Sequence, residues 1–188
     1  MGKDSITAVK PKVGGALYVA PTTATLPTDF STALDSAFKS LGYISEDGVK
    51  NNNGSTSEEL RAWGGEVVHA TEKEYKDNYF FTLIEFLNLE VLSIAFGEGN
   101  ISDIKDGGVT VGHKLQHNNH THDTMAWVFE MVLEGDRVMR KVIPCAKVTE
   151  LGEINFKDSE PVKLDVSLSA FLDSAGNSSY DYISEPLQ

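Results

Sequence analysis

The stretch of sequence that decides the fold runs from Leu41 to Gly97 and reads LGYISEDGVKNNNGSTSEELRAWGGEVVHATEKEYKDNYFFTLIEFLNLEVLSIAFG. It begins with a short apolar segment, continues through a polar segment rich in Asn, and ends in a strongly apolar run. None of its residues form a pattern suited to making or breaking bonds. The stretch predicts a β-sheet protein with one packed helix and a long mobile loop, which favours assembly over catalysis as its function.

The polar part of this stretch predicts a long loop over about residues 46–59. The tripeptide Glu46-Asp47-Gly48 signals a turn at its start. The residues that follow have almost no apolar surface to bury, so we expect them to be exposed and mobile when the protein is alone. Two interpretations stay open here: an ordinary surface loop, or an assembly loop that becomes ordered against a neighbouring molecule.

The apolar run over residues 82–96 has the periodicity of an amphipathic helix. Thr82 is a suitable N-cap with Glu85 at the capping-box spacing, and Gly97 is well placed to end the helix. We therefore expect a helix that packs one face against a sheet. The apolar stripe of this predicted helix consists of Ile84, Leu87, Val91 and Ile94.

Most of the remaining chain favours antiparallel strands. The clearest runs from Thr124 to Leu133 with period-two alternation, and a hairpin turn at residues 134–137 leads into its partner strand. Strands are expected over residues 14–20, 43–45, 58–63, 66–71, 73–81, 109–115, 124–133, 137–149 and 161–172. The pattern predicts a mainly β fold of antiparallel strands with one flanking α-helix.

Length and composition indicate a single globular domain over residues 1–188. That length allows one good-sized core, and 40% hydrophobic with 23% charged residues is typical of soluble proteins. We expect a polar N-terminal arm at about residues 1–13 and a polar C-terminal tail at about residues 173–188. No apolar run approaches the roughly 18 residues that span a bilayer, and the N-terminus lacks the apolar segment of a secretory signal. The sequence therefore predicts synthesis in a cytoplasm and no membrane insertion.

The formal net charge of −12 argues against direct binding to nucleic acid. Contact with a phosphate backbone needs clustered Lys and Arg, and the chain has 16 of them against 28 acidic residues. The acidic surface is compatible with two interpretations. It keeps the protein soluble, or it lets nucleic acid pass nearby without sticking.

A histidine cluster at residues 117–123 is the sharpest metal-like signal in the chain. His117, His120 and His122 are weak candidates as metal ligands, because imidazole is a common ligand for zinc and similar ions. A cupin-like site would add a nearby Glu and a later His. The next Glu is Glu130 and no His follows it. The alternative is a polar hairpin tip, and we expect neither a metal nor any other cofactor.

Catalytic motifs are missing from the sequence. It contains no nucleophile elbow, P-loop, dinucleotide fingerprint or pair of cysteines. The single cysteine, Cys145, cannot form an internal disulfide, and we expect it to be a small buried apolar group. The sequence predicts no catalytic residues and no enzymatic activity.

Four segments then occur in a recognisable order. They are Leu41-Gly42-Tyr43-Ile44-Ser45-Glu46-Asp47-Gly48-Val49, Leu60-Arg61-Ala62-Trp63-Gly64-Gly65, Phe81-Thr82-Leu83-Ile84-Glu85, and Val91-Leu92 ahead of Phe96-Gly97. Over roughly residues 10 to 170 the chain thereby resembles the major tail proteins of long, non-contractile-tailed phages. The resemblance implies two packed antiparallel β-sheets, arranged like a sandwich or barrel and flanked by a helix, with the sheets of six subunits joining around a lumen.

The resemblance also implies a function and partners. Hexameric rings would stack into the tail tube, the virion's conduit for DNA delivery into the host. A tape-measure protein would occupy the lumen, and the tail tip or distal tail protein and the terminator would cap the ends. DNA would pass without specific binding, and the subunit would be made in the host bacterial cytoplasm. Some relatives carry a C-terminal immunoglobulin-like domain, which we do not expect in this chain.

Carried onto this sequence, the resemblance gives roles to particular segments. The N-terminal arm and C-terminal tail would bridge subunits or rings. The loop that stacks one ring on the next would comprise Val49, Lys50, Asn51, Asn52, Asn53, Gly54 and Ser55. Two alternatives remain: another ring-forming tail component such as a terminator or distal tail protein, and a metal-dependent β-barrel enzyme using the three histidines.

Overall fold

The computed structural model describes residues 7–12 and 16–185. Strands dominate this part of the chain, and no helix in it is long and apolar enough to cross a membrane. Its elements are β1 (Val9–Pro11), β2 (Leu17–Pro21), β3 (Lys39–Ser40), β4 (Lys50–Arg61), β5 (Val67–Leu83), α1 (Leu89–Phe96), a 3-10 turn (Glu98–Asn100), β6 (Ile101–Asp106), β7 (Val109–Leu115), β8 (Thr124–Leu133), β9 (Val138–Leu151), β10 (Leu164–Ala170) and β11 (Tyr180–Ile183).

Nine strands form one antiparallel sheet, and β6 and β7 form a separate two-stranded sheet. The main path is β3-β2-β8-β9-β10-β5-β4, with β1 paired to β8 and β11 paired to β9. Strand β9 changes partner along its length. Residues 139–142 pair with β11, whereas residues 146–151 pair with β10. The buried Pro144 lies between the two halves, where it interrupts the ladder.

Aromatic contacts show that the large sheet folds over on itself. Strands β5 and β8 are three positions apart in the strand order, which would separate them by about 14 Å in a flat sheet. Yet the rings of Tyr79 and Phe129 stack with centroids 5.9 Å apart, and Phe81 meets Phe129 edge-on at 5.8 Å. Trp127 completes this aromatic cluster, with its ring 6.1 Å from Phe81. The folded sheet therefore encloses the larger of its two hydrophobic clusters between its two halves.

The predicted fold class is confirmed: the chain is mainly β, with one α-helix and two antiparallel sheets. In detail, the two packed layers are halves of one folded sheet. Strand β8 has the predicted bounds, and β9 follows the predicted hairpin turn. Strand β6 lies in a segment where we expected none. Cys145 is half-buried at the bend of β9, less enclosed than expected.

The predicted helix over residues 82–96 was wrong in its first half. Helix α1 begins at Leu89, where the Asn88 side chain caps it by accepting a hydrogen bond from the Glu90 amide. The cause is sheet pairing, because Thr82 and Leu83 complete β5 against β10. Of the predicted stripe, only Val91 is fully buried; Ile84 and Ile94 are half-buried and Leu87 is exposed.

The predicted mobile loop over residues 46–59 was also wrong in conformation. From Lys50 onward this segment is strand β4, paired throughout with β5. The two strands predicted at 66–71 and 73–81 are one continuous strand, β5. The polar sequence concealed a strand because its stability comes from the backbone ladder with β5 and not from a buried face.

Each of the two predicted arms contains a short strand that pairs with another strand of the same chain. Strand β1 pairs with the end of β8, and β11 pairs with the first half of β9. The remainder of the N-terminal arm, residues 1–6 and 13, and the last residues of the tail, 186–188, lie outside the described residues, as do Gly14 and Gly15 of the first predicted strand.

A buried ion pair anchors the N-terminal strand to the folded sheet. Glu130 on β8 and Arg140 on β9 are 3% and 2% exposed and pair with each other. Lys12 places its Nζ 2.6 Å from the second carboxylate oxygen of Glu130. Arg140 also donates to the carbonyl oxygens of Asp29 and Thr32, each at 2.9 Å. The cluster therefore satisfies its buried charges and holds three segments together.

Neighbouring phenylalanines on β5 provide a test of the core. Phe81 is buried in the aromatic cluster, whereas Phe80 is 39% exposed on the opposite face. We expect Phe81→Ala to lower the free energy of unfolding by about 3–5 kcal/mol, because it leaves a cavity. Phe80→Ala should cost about 1 kcal/mol or less. Chemical denaturation measures both, and equal losses would contradict the folded-sheet core.

The ion pair predicts a dependence of stability on pH. Burial raises the pKa of Glu130, but hydrogen bonds and charges from Lys12 and Arg140 lower it by more, so it lies below its ordinary value of 4.5. A lowered pKa contributes stability that is present above the unfolded-state value and is lost as pH falls through the folded-state value.

We therefore compare the wild type with Glu130→Gln. The variant should be less stable by about 3–5 kcal/mol near neutral pH, because it removes the buried carboxylate and leaves Arg140 only the longer, 4.0 Å contact with Asp29. The difference in free energy of unfolding should shrink as pH falls below about 4.5. Urea titrations at several pH values measure it, and a difference that stays constant into acid would contradict the role of the ion pair.

Candidate assembly interface

The feature that bears most directly on function is a projecting pair of strands, here called the β4–β5 ribbon, residues 54–76. Strand β10 pairs with β5 only as far as Asp77, so beyond that point β4 is the one partner that β5 has among the described residues. The side chains of residues 54–71 and 74–76 are all exposed. With roughly 3.3 Å per residue, the ribbon extends about 25–30 Å from the core.

Such a ribbon is incomplete as a structural unit. A two-stranded hairpin with neither face covered is marginally stable in water. Both of its outer edges also present unpaired backbone N–H and C=O groups, which readily pair with another chain. The ribbon therefore has the chemistry of a segment that another molecule completes.

The tip of the ribbon is a tight turn that displays a tryptophan. The Ala62 amide donates to the carbonyl oxygen of Glu66 at 2.8 Å, and Gly64 and Gly65 adopt φ values of 119° and 92° that only glycine readily accepts. Trp63 is fully exposed at this tip. A large amphipathic ring without any cover is typical of an interface anchor, because tryptophan is enriched where binding energy concentrates.

The root of the ribbon is held by a buried carboxylate. Asp77 is 1% exposed, and its Oδ2 accepts hydrogen bonds from the hydroxyl groups of Tyr79, Ser178 and Ser179 at 3.1, 2.7 and 3.2 Å. Asn51 on β4 donates to Oδ1 at 2.7 Å. Burial raises the pKa of Tyr79, which keeps its hydroxyl protonated as a donor. The network ties both strands of the ribbon to the C-terminal segment and fixes where the ribbon leaves the core.

A second, shorter ribbon is formed by β6 and β7. Its two strands pair with each other and with no other described strand, and they turn at Gly107-Gly108. Ile104, Val109 and Val111 expose apolar side chains on it. It is a second surface on which a neighbouring molecule could pack.

The predicted inter-ring residues lie at the root of the β4–β5 ribbon and not at its tip. Val49 packs against the core, and residues 50–53 pair with the core half of β5. Within the predicted set, Gly54 and Ser55 alone belong to the ribbon. Trp63 lies outside the predicted inter-ring set, yet the structure places it fully exposed at the tip of the ribbon. A tryptophan next to Gly64-Gly65 in a polar context is the signal that marks it as a displayed tip.

The candidate metal ligands separate into two places. The rings of His120 and His122 lie 4.7 Å apart, and Nδ1 of His122 is 3.1 Å from the carbonyl oxygen of Ile94. Burial lowers the pKa of His122. His117 instead packs edge-on against Phe96. Across residues 7–12 and 16–185, no three His, Cys, Asp or Glu side chains are grouped so that they could hold a metal ion.

Comparisons with known proteins identify the family. Among solved structures, the chain is similar to the tube-terminating cap of the anti-feeding prophage, with 10% identity, a TM-score of 0.41, and 93% of this chain and 92% of that one covered. It is also similar to a chain of the extended sheath–tube complex of an extracellular contractile injection system, PVC, with 7% identity, a TM-score of 0.37, and 93% of each chain covered. No curated protein matches the sequence. The family model described as phage tail tube protein matches residues 1–188, and the chain therefore belongs to the phage tail tube protein family.

Proposed function

We propose that this chain is the structural subunit that polymerises as stacked hexameric rings into a phage tail tube, the conduit for DNA delivery into the host. The observation that carries the proposal is the β4–β5 ribbon, which has no covered face and displays Trp63 at its tip. A subunit of this kind becomes complete when copies of itself supply the missing contacts. Family membership supports the same role.

Lateral joining of copies follows from the edges of the large sheet. Strand β3 ends the sheet on one side and β4 ends it on the other. Open edges attract further strands, and a ring of copies joined edge to edge leaves none exposed. The proposal therefore uses the sheet edges within a ring and the ribbon between rings.

The whole ribbon takes part in the contacts that stack one ring on the next. We propose that its tip reaches the neighbouring ring, while the segment from Val49 to Ser55 sets the ribbon's root and direction. The buried Asp77 network supports this division, because hydrogen bonds from four side chains to Asp77 fix the root before any neighbour is present.

The charge of the subunit suits a conduit. Each copy carries a formal charge of −12, and in this proposal part of that acidic surface faces the bore of the ring. Like charge repels the DNA backbone and prevents it from adhering in transit. In this proposal a tape-measure protein occupies the lumen during assembly, and the tail tip and terminator proteins cap the ends. The subunit is made in the bacterial cytoplasm, and it performs no catalysis.

Electron microscopy of the concentrated, purified protein tests the proposal directly. We expect long hollow tubes with a regular axial repeat. Isolated rings without stacking would instead indicate a terminator or distal tail protein. Particles that stay single at every concentration, and in the presence of tail tip complexes, would overturn the proposal.

A shortened ribbon tests the role in stacking. Thr56 lies opposite Glu74, so residues 57–73 can be replaced by Asn-Gly, which suits a two-residue hairpin turn. The core half of β5 and the Asp77 network remain, so we expect an unchanged melting temperature within a few degrees and no tubes. Calorimetry and negative-stain microscopy measure the two outcomes.

Thr71→Ala is the matched control, because it alters an exposed ribbon side chain without shortening the strands. It should assemble as the wild type does. Normal tubes from the shortened protein would show that the ribbon is not needed for stacking.

A further inference from the structure

We propose that Trp63 of one copy inserts into an apolar groove at the far end of β5 in the next copy along the tube. The inference rests on the proposed function and names the surface that receives the ribbon tip. The occupant of the groove is a second copy of this chain, because the same chain carries both the displayed Trp63 and the open groove.

The groove lies where the chain leaves β5 and where β10 begins. It has a volume of about 770 Å³. Phe86 and Phe156 form its floor with their rings edge-on, 6.2 Å between centroids. Phe156 is nevertheless 74% exposed and Leu87 86% exposed, so none of the described residues covers a large part of this apolar surface. The other apolar residues that line the groove are Ile84, Pro161 and Val162.

The one carboxylate that lines the groove is already engaged. Glu85 accepts a hydrogen bond from the Tyr43 amide at 2.9 Å and another from the Asn88 side chain at 3.3 Å. These two donors replace part of the water around the carboxylate, which lowers the cost of bringing an apolar side chain beside it.

The strand register puts tip and groove at opposite ends of the molecule. Leu83 at the end of β5 lies opposite Leu164 of β10. Val166, also on β10, lies opposite Leu151, the last residue of β9. The groove therefore sits at the end of the sheet where β5 and β9 finish. Trp63 sits beyond the other end of β5, and the 17 residues of that strand span roughly 55 Å.

This separation suits the stacking of copies that point the same way along a tube. A tip at one end that binds a groove at the other end then joins such copies head to tail, and each added copy presents a new groove or tip. The contact alone also permits a closed ring or a reciprocal pair of opposed copies, and the parallel arrangement of copies in the proposed tube selects the stack.

The area of the contact explains why copies would stay separate before assembly. Burial of one tryptophan covers about 150–250 Å², whereas a stable interface needs about 1,200 Å² or more. A single tip in a single groove does not hold two free copies together. Several such contacts made in parallel between two rings reinforce one another, because the first brings the others to high effective concentration.

Site-directed crosslinking tests the inference. Cys145 is the single cysteine, so Cys145→Ser gives a background without thiols. One protein then carries Ala62→Cys beside the tip tryptophan, and a second carries Glu160→Cys at the rim of the groove. The two are mixed, assembled and treated with a short bis-maleimide. We expect crosslinked dimers on a denaturing gel from tubes and at least ten-fold fewer from dilute protein.

The matched control pairs Ala62→Cys with Glu134→Cys, an exposed site at the far end of β9 from the groove. It should give background crosslinking in the same tubes. Tubes that form without crosslinks between positions 62 and 160 would overturn this inference and leave the proposed function intact. Failure of every variant and of the wild type to form tubes would overturn the proposed function and this inference with it.

A second measurement, the protein concentration needed for tube formation, tests the same contact without a crosslinker. Trp63→Ala should raise the protein concentration needed for tube formation at least ten-fold, and Trp63→Phe should restore most of the loss. Leu87→Ser should act similarly, and combining it with Trp63→Ala should add little, because both act on one contact. Circular dichroism of the variants should match the wild type. Additive effects of the two substitutions would contradict direct docking.

Discussion

A single strand that serves two environments is the constraint on which the rest of the structure depends. The second half of β5 carries Tyr79 and Phe81 into the aromatic core, where contacts with β8 hold the folded sheet closed. Its first half has β4 as its one described partner and has no buried face. The strand therefore transmits the rigidity of the core to a segment that has too little surface of its own to bury.

The buried polar clusters give this arrangement its precision. Asp77 sits at the transition between the two halves of β5 and binds hydroxyl groups from the C-terminal segment. Glu130 and Arg140 likewise hold the N-terminal strand, through Lys12, and the loop that contains Asp29 and Thr32. A ribbon with a fixed root loses less conformational freedom on docking than a free loop, and less of the contact energy is then spent on ordering. The fixed root distinguishes the structure from the mobile loop that its composition suggests, while the ribbon beyond the root stays marginal until it docks.

The sequence predicted the parts of the fold whose stability is local. Strand β8 was predicted with its correct bounds because its side chains alternate between core and surface with period two. Only the last part of strand β4 was predicted, within the strand expected over residues 58–63; its polar first part was not recognised, since none of its side chains is buried and its pairing with β5 is a long-range feature. The helix was predicted too long for a related reason: Thr82 and Leu83 pair with β10, and no local pattern reveals that partner. The positions of the tip and the groove could not be predicted either, because their placement at opposite ends of β5 depends on the register of long-range strand pairs.

Hydrogen–deuterium exchange of the ribbon amides, compared between free subunits and assembled tubes, tests the central claim most directly. Because a two-stranded ribbon is marginal in water, amides of residues 54–76 should exchange rapidly in the free protein, while those of residues 77–83 stay protected by β10. Assembly should protect residues 54–76 strongly. A ribbon that is already as protected as the core in the free subunit, or one that exchanges as fast in tubes as in solution, would contradict the account.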